Sequence, residues 1–242
     1  MKGTTPDGAH TEQEAAAWVR GMFGRVAPRY DLANHLLSFQ IDRYWRWRTV
    51  RRVSHILQRP ASRVLDICCG TGDLALALER ARCAPVLGSD FCHPMLVAAE
   101  AKFRERHARS ALFESDALRL PLRDASLDLL TVAFGFRNLA NYAAGIAEMR
   151  RVVRPGGTVA ILEFSQPPNP AFRALYNFYS RRILPVIGGA LSGNPDAYRY
   201  LPESVRKFPS AEELAEDLRR AGFASVSYEY LTGGIAALHV AC

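Results

Sequence analysis

The run Arg63-Val64-Leu65-Asp66-Ile67-Cys68-Cys69-Gly70-Thr71-Gly72-Asp73 is an apolar strand with a carboxylate near its end, and it passes directly into a glycine loop. An α/β protein presents a ligand site in this way at the carboxyl end of its first strand. Read from Gly70, the loop also fits the dinucleotide fingerprint, through Gly70, Gly72 and Ala75 with an acidic Asp90 roughly 20 residues further on. The glycines alone therefore separate neither a dinucleotide from another adenosyl ligand nor either from an ordinary tight strand-to-helix turn. Charge discriminates better. A pyrophosphate is held by unopposed backbone N–H groups at a helix N-terminus, whereas Asp66 and Asp73 set two negative charges beside these glycines. Such a pair suits a cationic, phosphate-free ligand. S-adenosylmethionine, with a sulfonium, an amino group and a ribose for Asp90 to bind, has that chemistry.

The rest of the chain alternates strand and helix patterns, which predicts a doubly wound, mostly parallel, Rossmann-like sheet; joined to the donor suggested by the loop, the expected fold is that of a class I methyltransferase. Strands are expected at Arg63 to Ile67, Val86 to Asp90, Ala111 to Ser115, Leu127 to Phe134 and Thr158 to Phe164. Helices fit between them at Leu74 to Arg82, Pro94 to His107 and Ala143 to Val153, the last stopped by Arg154-Pro155-Gly156-Gly157. A capping-box spacing at Ser210-Ala211-Glu212-Glu213 starts a further helix. Two last strands follow, at Ala224 to Tyr230 and Ile235 to Ala241, and supply an antiparallel edge. The expected organisation is one domain: a helical cap at 12–57, a donor-binding core at 58–165, an inserted lid-like segment at 166–209, and a C-terminal helix with edge strands at 210–242.

With 242 residues, 49% of them hydrophobic, the chain can bury a full core without staples. Its five cysteines are an odd number with no C-x-x-C pair, which argues against a disulfide framework or a zinc site and for a reducing, cytoplasmic setting. No metal is expected. The start of the chain is polar, and no run approaches the ~20 apolar residues of a membrane span. The net charge of +7 suits nucleic acid, an anionic membrane surface or simply a solvated basic face. The densest basic part, Arg43-Tyr44-Trp45-Arg46-Trp47-Arg48 with Arg51 and Arg52, interleaves arginine with aromatics. On a helix those rings more often pack a cap on the core than stack on bases.

Ligands of open α/β sheets bind beyond the carboxyl ends of the strands, where Asp66, Gly70, Asp90, Asp116 and Phe134 to Asn138 all fall. Asp90 should accept from ribose hydroxyls. Asp116, with Ala117, is placed to meet adenine, the alternative for Asp116 being a helix N-cap. The loop Phe134-Gly135-Phe136-Arg137-Asn138-Leu139 should lie between the donor methyl and the acceptor. It lacks the Asn/Asp-Pro-Pro-aromatic run common in amino-methyltransferases of nucleic acid.

From about Met22 to His239 the chain resembles the ubiquinone/menaquinone biosynthesis C-methyltransferases. Tyr30-Asp31-Leu32-Ala33-Asn34-His35-Leu36-Leu37-Ser38, followed by Asp42 and Trp45, is similar to the family's first signature. Arg151-Val152-Val153-Arg154-Pro155-Gly156-Gly157 through Leu162-Glu163-Phe164-Ser165 is similar to its second. The Phe-Gly-x-Arg-Asn loop, Tyr198-Arg199-Tyr200-Leu201 with Glu203-Ser204-Val205, and Gly234-Ile235-Ala236-Ala237-Leu238-His239 are further family-like runs. The resemblance implies donor contacts from Thr71, Asp90, Asp116 and Ala117. It departs at Ala133, where some members use a serine; Cys68 stands where the general methyltransferase loop usually carries glycine, a departure that is not foreign to the menaquinone-type members.

The chemistry implied is C-methylation of a prenylated hydroquinone, foremost demethylmenaquinol, with the ubiquinone-pathway methoxy-benzoquinol as the alternative. A ring carbon attacks a sulfonium methyl only when electron-rich, so the acceptor is the reduced quinol, best as its phenolate. Arg137 cannot be a base; it can stabilise the phenolate, its alternative being a structural salt bridge. Asn138 can orient a ring oxygen or a water, and Tyr30 can complete the acceptor pocket. Water, Tyr30 and Asp31 stand as candidates for the proton acceptor. The stretch Phe172 to Ile187, with Arg173, Arg181 and Arg182, is amphipathic up to a flexible Gly188-Gly189. It fits a membrane-surface contact or a packed lid equally well. The expected partner is the polyprenylated acceptor rather than nucleic acid, at the inner face of the cell membrane, with a homodimer compatible. Two other classes stand beside this reading, a nucleic-acid methyltransferase and a non-catalytic donor-binding subunit.

Overall fold

The computed structural model describes residues 3–82, 84–192 and 195–242; Cys83, one of the five cysteines, lies outside them. Among the described residues, four α-helices precede the sheet, α1 (Glu12–Val26), α2 (Tyr30–Leu37), α3 (Ile41–Arg52) and α4 (Ser54–Leu57), with a 3-10 turn (Ala27–Arg29) between the first two. The alternating part runs β1 (Val64–Ile67), α5 (Asp73–Arg82), β2 (Leu87–Asp90), α6 (His93–Glu105), β3 (Ala111–Glu114), β4 (Leu127–Ala133), α7 (Tyr142–Val152) and β5 (Val153–Phe164). Then come α8 (Pro170–Phe178), a π-helical turn (Tyr179–Ile183), α9 (Leu184–Ser192), α10 (Pro195–Lys207), α11 (Ala211–Arg220), β6 (Val226–Leu231) and β7 (Ala236–Ala241).

The seven strands form one sheet in the order β3-β2-β1-β4-β5-β7-β6. The pairs β1–β2, β1–β4, β2–β3 and β4–β5 are all parallel. The mostly parallel, doubly wound sheet is as expected, with one refinement. The antiparallel strand is β7, one place in from the edge between β5 and β6, and the edge strand β6 runs parallel to β5 through it. The order reverses between β1 and β4, so a crevice opens beyond the carboxyl ends of those two strands.

Side-chain alternation builds a core on each face of the sheet. Leu65, Ile67, Leu130 and Val132 pack with Ile146 and Met149 of α7 and Leu214 and Leu218 of α11. Val64, Leu129 and Leu162 pack with Leu74 and Leu78 of α5, Phe103 of α6 and Trp45 of α3. Two element ends differ from the sequence expectation. Helix α7 begins at Tyr142 because the Asn141 side chain accepts from the Ala144 N–H, and Val153 leaves the helix to pair with Leu127. The glycines expected to be flexible lie inside α9; a Cβ at Gly188 would come within 2.4 Å of the Tyr198 ring. Gly188 thus serves close packing.

The arginine-rich helix α3 is bound into the fold. Trp45 is buried, donates its indole N–H to Thr232 Oγ1 at 2.8 Å, and meets the rings of Phe134 and Phe164. Arg46 pairs with Asp42 and Asp73, Arg48 with Glu229, and Arg52 donates to Ser227. The aromatic-arginine run is therefore largely a cap-to-core contact.

Candidate active site

A cavity of about 640 Å³ opens at the switch point and extends between the cap and helices α8–α10. This is a normal size for a small-molecule site. Asp66, Gly70, Thr71, Asp90, Asp116, Ala117 and Ala133 line its inner half, and Tyr30, Arg137 and Asn138 line the part toward the cap and insertion. Gly72 stands behind the wall. Its φ of +82° demands glycine, and a Cβ there would meet Phe103 at 2.3 Å.

Asp66 is fully buried and accepts from Thr131 Oγ1 at 2.7 Å. Burial pushes its pKa up to about 7, against the hydrogen bond from Thr131. Asp90 accepts from the Gly70 N–H at 2.8 Å and the Cys92 N–H at 2.9 Å. Burial raises its pKa too, those backbone bonds opposing. The glycine loop is thus fastened to the end of β2 by the carboxylate expected at the ribose. Asp116 is exposed and accepts from the Leu118 N–H at 2.9 Å. It closes a turn and caps no helix, so the N-cap alternative falls away.

The acidic pair does not survive as a pair. Asp73 is taken up by Lys102 at 2.7 Å and Arg46 at 3.0 Å. Lys102 also holds Asp31 at 2.6 Å, and Thr71 Oγ1 donates to Asp31 at 2.6 Å. Asp66 and Asp90 are the two carboxylates that face the inner cavity from the sheet, and Asp31, one of three candidates for the ring proton, is committed to a cation. Cys68 and Cys69 are raised well above the ordinary thiol range, first by burial and then by Asp90 and Asp66. They stay protonated and are poor nucleophiles. Cys68 takes φ of +48° and Phe134 φ of +58°. Each costs a non-glycine residue about 1–2 kcal/mol, and they end the two strands that flank the crevice.

Arg137 is 5% exposed. Its Nη1 pairs with Glu163 at 2.9 Å and donates to the Phe134 carbonyl; its Nε donates to Ser204 Oγ at 3.3 Å. Glu163 also accepts from the Arg137 backbone N–H at 3.0 Å. Burial lowers the Arg137 pKa and the neighbouring Glu163 charge more than restores it, so the guanidinium stays charged. The salt-bridge alternative is thus realised. The guanidinium lies over the Phe164 ring, 5.2 Å from its centroid; Nη2 has no hydrogen-bond or ion-pair partner among the described residues, and the side chain still lines the cavity. Asn138 accepts from the Tyr200 hydroxyl at 2.9 Å, and Tyr200 in turn bonds Thr4 at 2.7 Å. Tyr30 opens α2 and meets Phe23 edge-on.

Three participants were not singled out from the sequence. Glu163, quoted only within a signature, is a carboxylate directly after the apolar run Val159-Ala160-Ile161-Leu162 of β5, and that contrast was the available signal. Tyr176 and Tyr200 border the cavity near Arg137. Burial raises both phenols, Tyr176 to about 12. Both lie in the insertion, where sequence pattern gives no contact partners.

The family profile of the ubiE/COQ5 methyltransferase family matches residues 9–242. Demethylmenaquinone methyltransferase of Thermus thermophilus is 50% identical over 220 residues, 90% of this chain and 98% of that protein. Demethylmenaquinone methyltransferase of Deinococcus radiodurans is 46% identical over 230 residues, 95% of this chain and 94% of that protein. Among solved structures, a SAM-dependent methyltransferase from Thermotoga maritima superposes with a TM-score of 0.63 at 18% identity, covering 91% of this chain and 98% of that one. At that identity the likeness speaks to the fold.

Proposed function

The chain belongs to the ubiE/COQ5 methyltransferase family, and from that premise we propose that it methylates a ring carbon of a polyprenylated hydroquinone, demethylmenaquinol before all others, using S-adenosylmethionine. The observation that supports this most is the continuity of the cavity. One space joins the buried carboxylates of the sheet to Arg137 and then to an outer part lined by Phe172, Leu175 and Phe178. A cationic donor, an anionic ring and an apolar tail find matching walls in that order.

The residues fit the donor. Asp66, a buried carboxylate held near neutrality, gains a counter-charge from a cationic ligand. Asp90 would offer its carboxylate to ribose hydroxyls, Asp116 and Ala117 would meet the adenine, and Gly70 and Thr71 would supply the loop. When bound, the donor supplies an electrophilic methyl group. Arg137, held by Glu163 and Ser204, directs Nη2 at a ring oxygen and stabilises the phenolate. Asn138, fixed by Tyr200, orients the opposite edge or a water. With Asp31 engaged by Lys102, Tyr30 and water remain to take the ring proton. On this reading the enzyme works in the cytoplasm at the membrane that holds its acceptor, and none of the described helices is long and apolar enough to cross it.

The test uses purified protein, labelled donor, and demethylmenaquinol, the ubiquinone precursor and RNA as separate acceptors. Label should enter the menaquinol ring carbon only when a reductant is present. Equal transfer to the oxidised quinone would defeat the phenolate mechanism, and transfer to RNA would defeat the assignment.

A further inference from the structure

Exposed apolar side chains are concentrated on one part of this molecule. Leu36 and Phe39 stand at the end of α2, and Leu175, Phe178, Ile183, Val186 and Ile187 on α8, the π turn and α9; all are 37–73% exposed. The two segments are in contact. The Tyr179 hydroxyl donates to the Leu37 carbonyl at 2.9 Å, and the Tyr179 and Phe39 rings lie 6.3 Å apart. Phe39, Leu175, Phe178 and Ile183 also line the cavity. Being at once exposed and cavity-lining, they form its mouth.

Arg181 and Arg182 sit exposed in the middle of this apolar group. The sequence has no Asp or Glu between Asp31 and Asp42, nor between Glu163 and Asp196. The mouth is therefore apolar and cationic without a carboxylate of its own. That composition decides the occupant. A two-fold dimer through this face would set the patch against its own copy, bringing arginine to arginine with no acidic partner. An anionic bilayer supplies phosphates for Arg181 and Arg182 and hydrocarbon for the side chains around them.

Resting on the prenylated-acceptor reading above, we propose that this mouth is a docking surface for the anionic lipid bilayer, through which the quinol head enters the cavity while its prenyl tail stays in the membrane. Phe39, Leu175, Phe178 and Ile183 then bridge bilayer and cavity, so that the acceptor crosses no water. The insertion is both lid and membrane contact.

The test uses the intact protein and sedimentation with vesicles of phosphatidylcholine alone or with about one third phosphatidylglycerol. Arg182→Glu with Val186→Asp changes two exposed side chains outside the cavity lining, and its thermal transition should match that of the wild type. Wild type should bind the anionic vesicles, less as salt rises, and the double variant should lose about 10- to 30-fold in affinity. The variant should methylate a short-tailed, detergent-free quinol at the wild-type rate and lose transfer to the long-tailed quinol in vesicles. Wild-type turnover in anionic vesicles with no vesicle binding would overturn the docking surface. So would a concentration-dependent dimer abolished by the same variant. If vesicle binding behaved as expected while no quinol was methylated, the acceptor assignment would fall and the surface would stand.

Discussion

The inner and outer halves of the cavity are built on opposite plans. The inner half is backbone and buried charge: a loop at positive φ, carboxylates fastened to main-chain amides, and two strained residues closing adjacent strands. The outer half is side chains from segments far apart in sequence, namely Tyr30, Arg137, Tyr176 and Tyr200, joined by hydrogen bonds, ion pairs and rings. The first plan holds its ligand largely with main chain and buried carboxylates fixed by it. The second can change its acceptor by changing a few side chains, with the sheet untouched.

The comparison is most severely tested at Arg137, where the two plans meet. Removing one preorganised donor to an oxyanion costs about 10²- to 10³-fold in rate. Stripping a buried pair of one partner costs about 3–5 kcal/mol, and both Arg137 and Glu163 are buried here. Arg137→Ala should therefore lower kcat about 100- to 1000-fold and also lower Tm, with donor Kd unchanged. Arg137→Met with Glu163→Gln removes both charges, so calorimetry should show much of the stability returning while kcat stays low. If activity came back with stability, Arg137 would be scaffold alone.

Gly72 tests the rigid half. Gly72→Ala combines a left-handed φ with a 2.3 Å contact to the buried Phe103 ring. It should cost about 2–5 kcal/mol from strain and overpacking and weaken the donor. Gly222→Ala, at φ +91° with nothing within 4 Å, carries strain alone, about 1–2 kcal/mol. Denaturant unfolding that ranked the two equally would show that the loop does not depend on its fit to α6.

The smallest effect belongs to Asp66. Its folded pKa lies above its unfolded one, so ionising it costs stability as pH rises from the ordinary carboxylate range to about 7. The ionised form is the one that holds a cation. Donor affinity should thus rise about tenfold between about pH 6 and pH 8 and then level off. Asp66→Asn should bind weakly and without that slope in calorimetric titration.

The same contrast explains what was legible in the sequence. Asp66, Gly70, Asp90 and the alternating strands could be placed because each is fixed by neighbours within one strand-loop-helix unit. The capping box at Ser210 formed for the same local reason. Asp73 misled because its partners, Lys102 and Arg46, come from α6 and α3, and charge counted along a loop ignores cations arriving from elsewhere. Glu163 and Tyr200 escaped notice because their role depends on a contact with the Arg137 loop that no spacing encodes. Gly188 looked flexible because its neighbour in space, Tyr198, belongs to the following helix.

The position of β7 has a consequence for biosynthesis. β5 pairs with β4 on one side and with β7 on the other, and β7 follows the whole insertion, α11 and β6. While the ribosome makes those segments, β5 carries an open edge along Val159, Ala160, Ile161 and Leu162, all of them buried in the finished protein. Unpaired edges of that composition recruit other strands. The nascent chain thus has a vulnerable interval, in which association through that edge competes with folding, and it ends only when β7 emerges and slots in antiparallel.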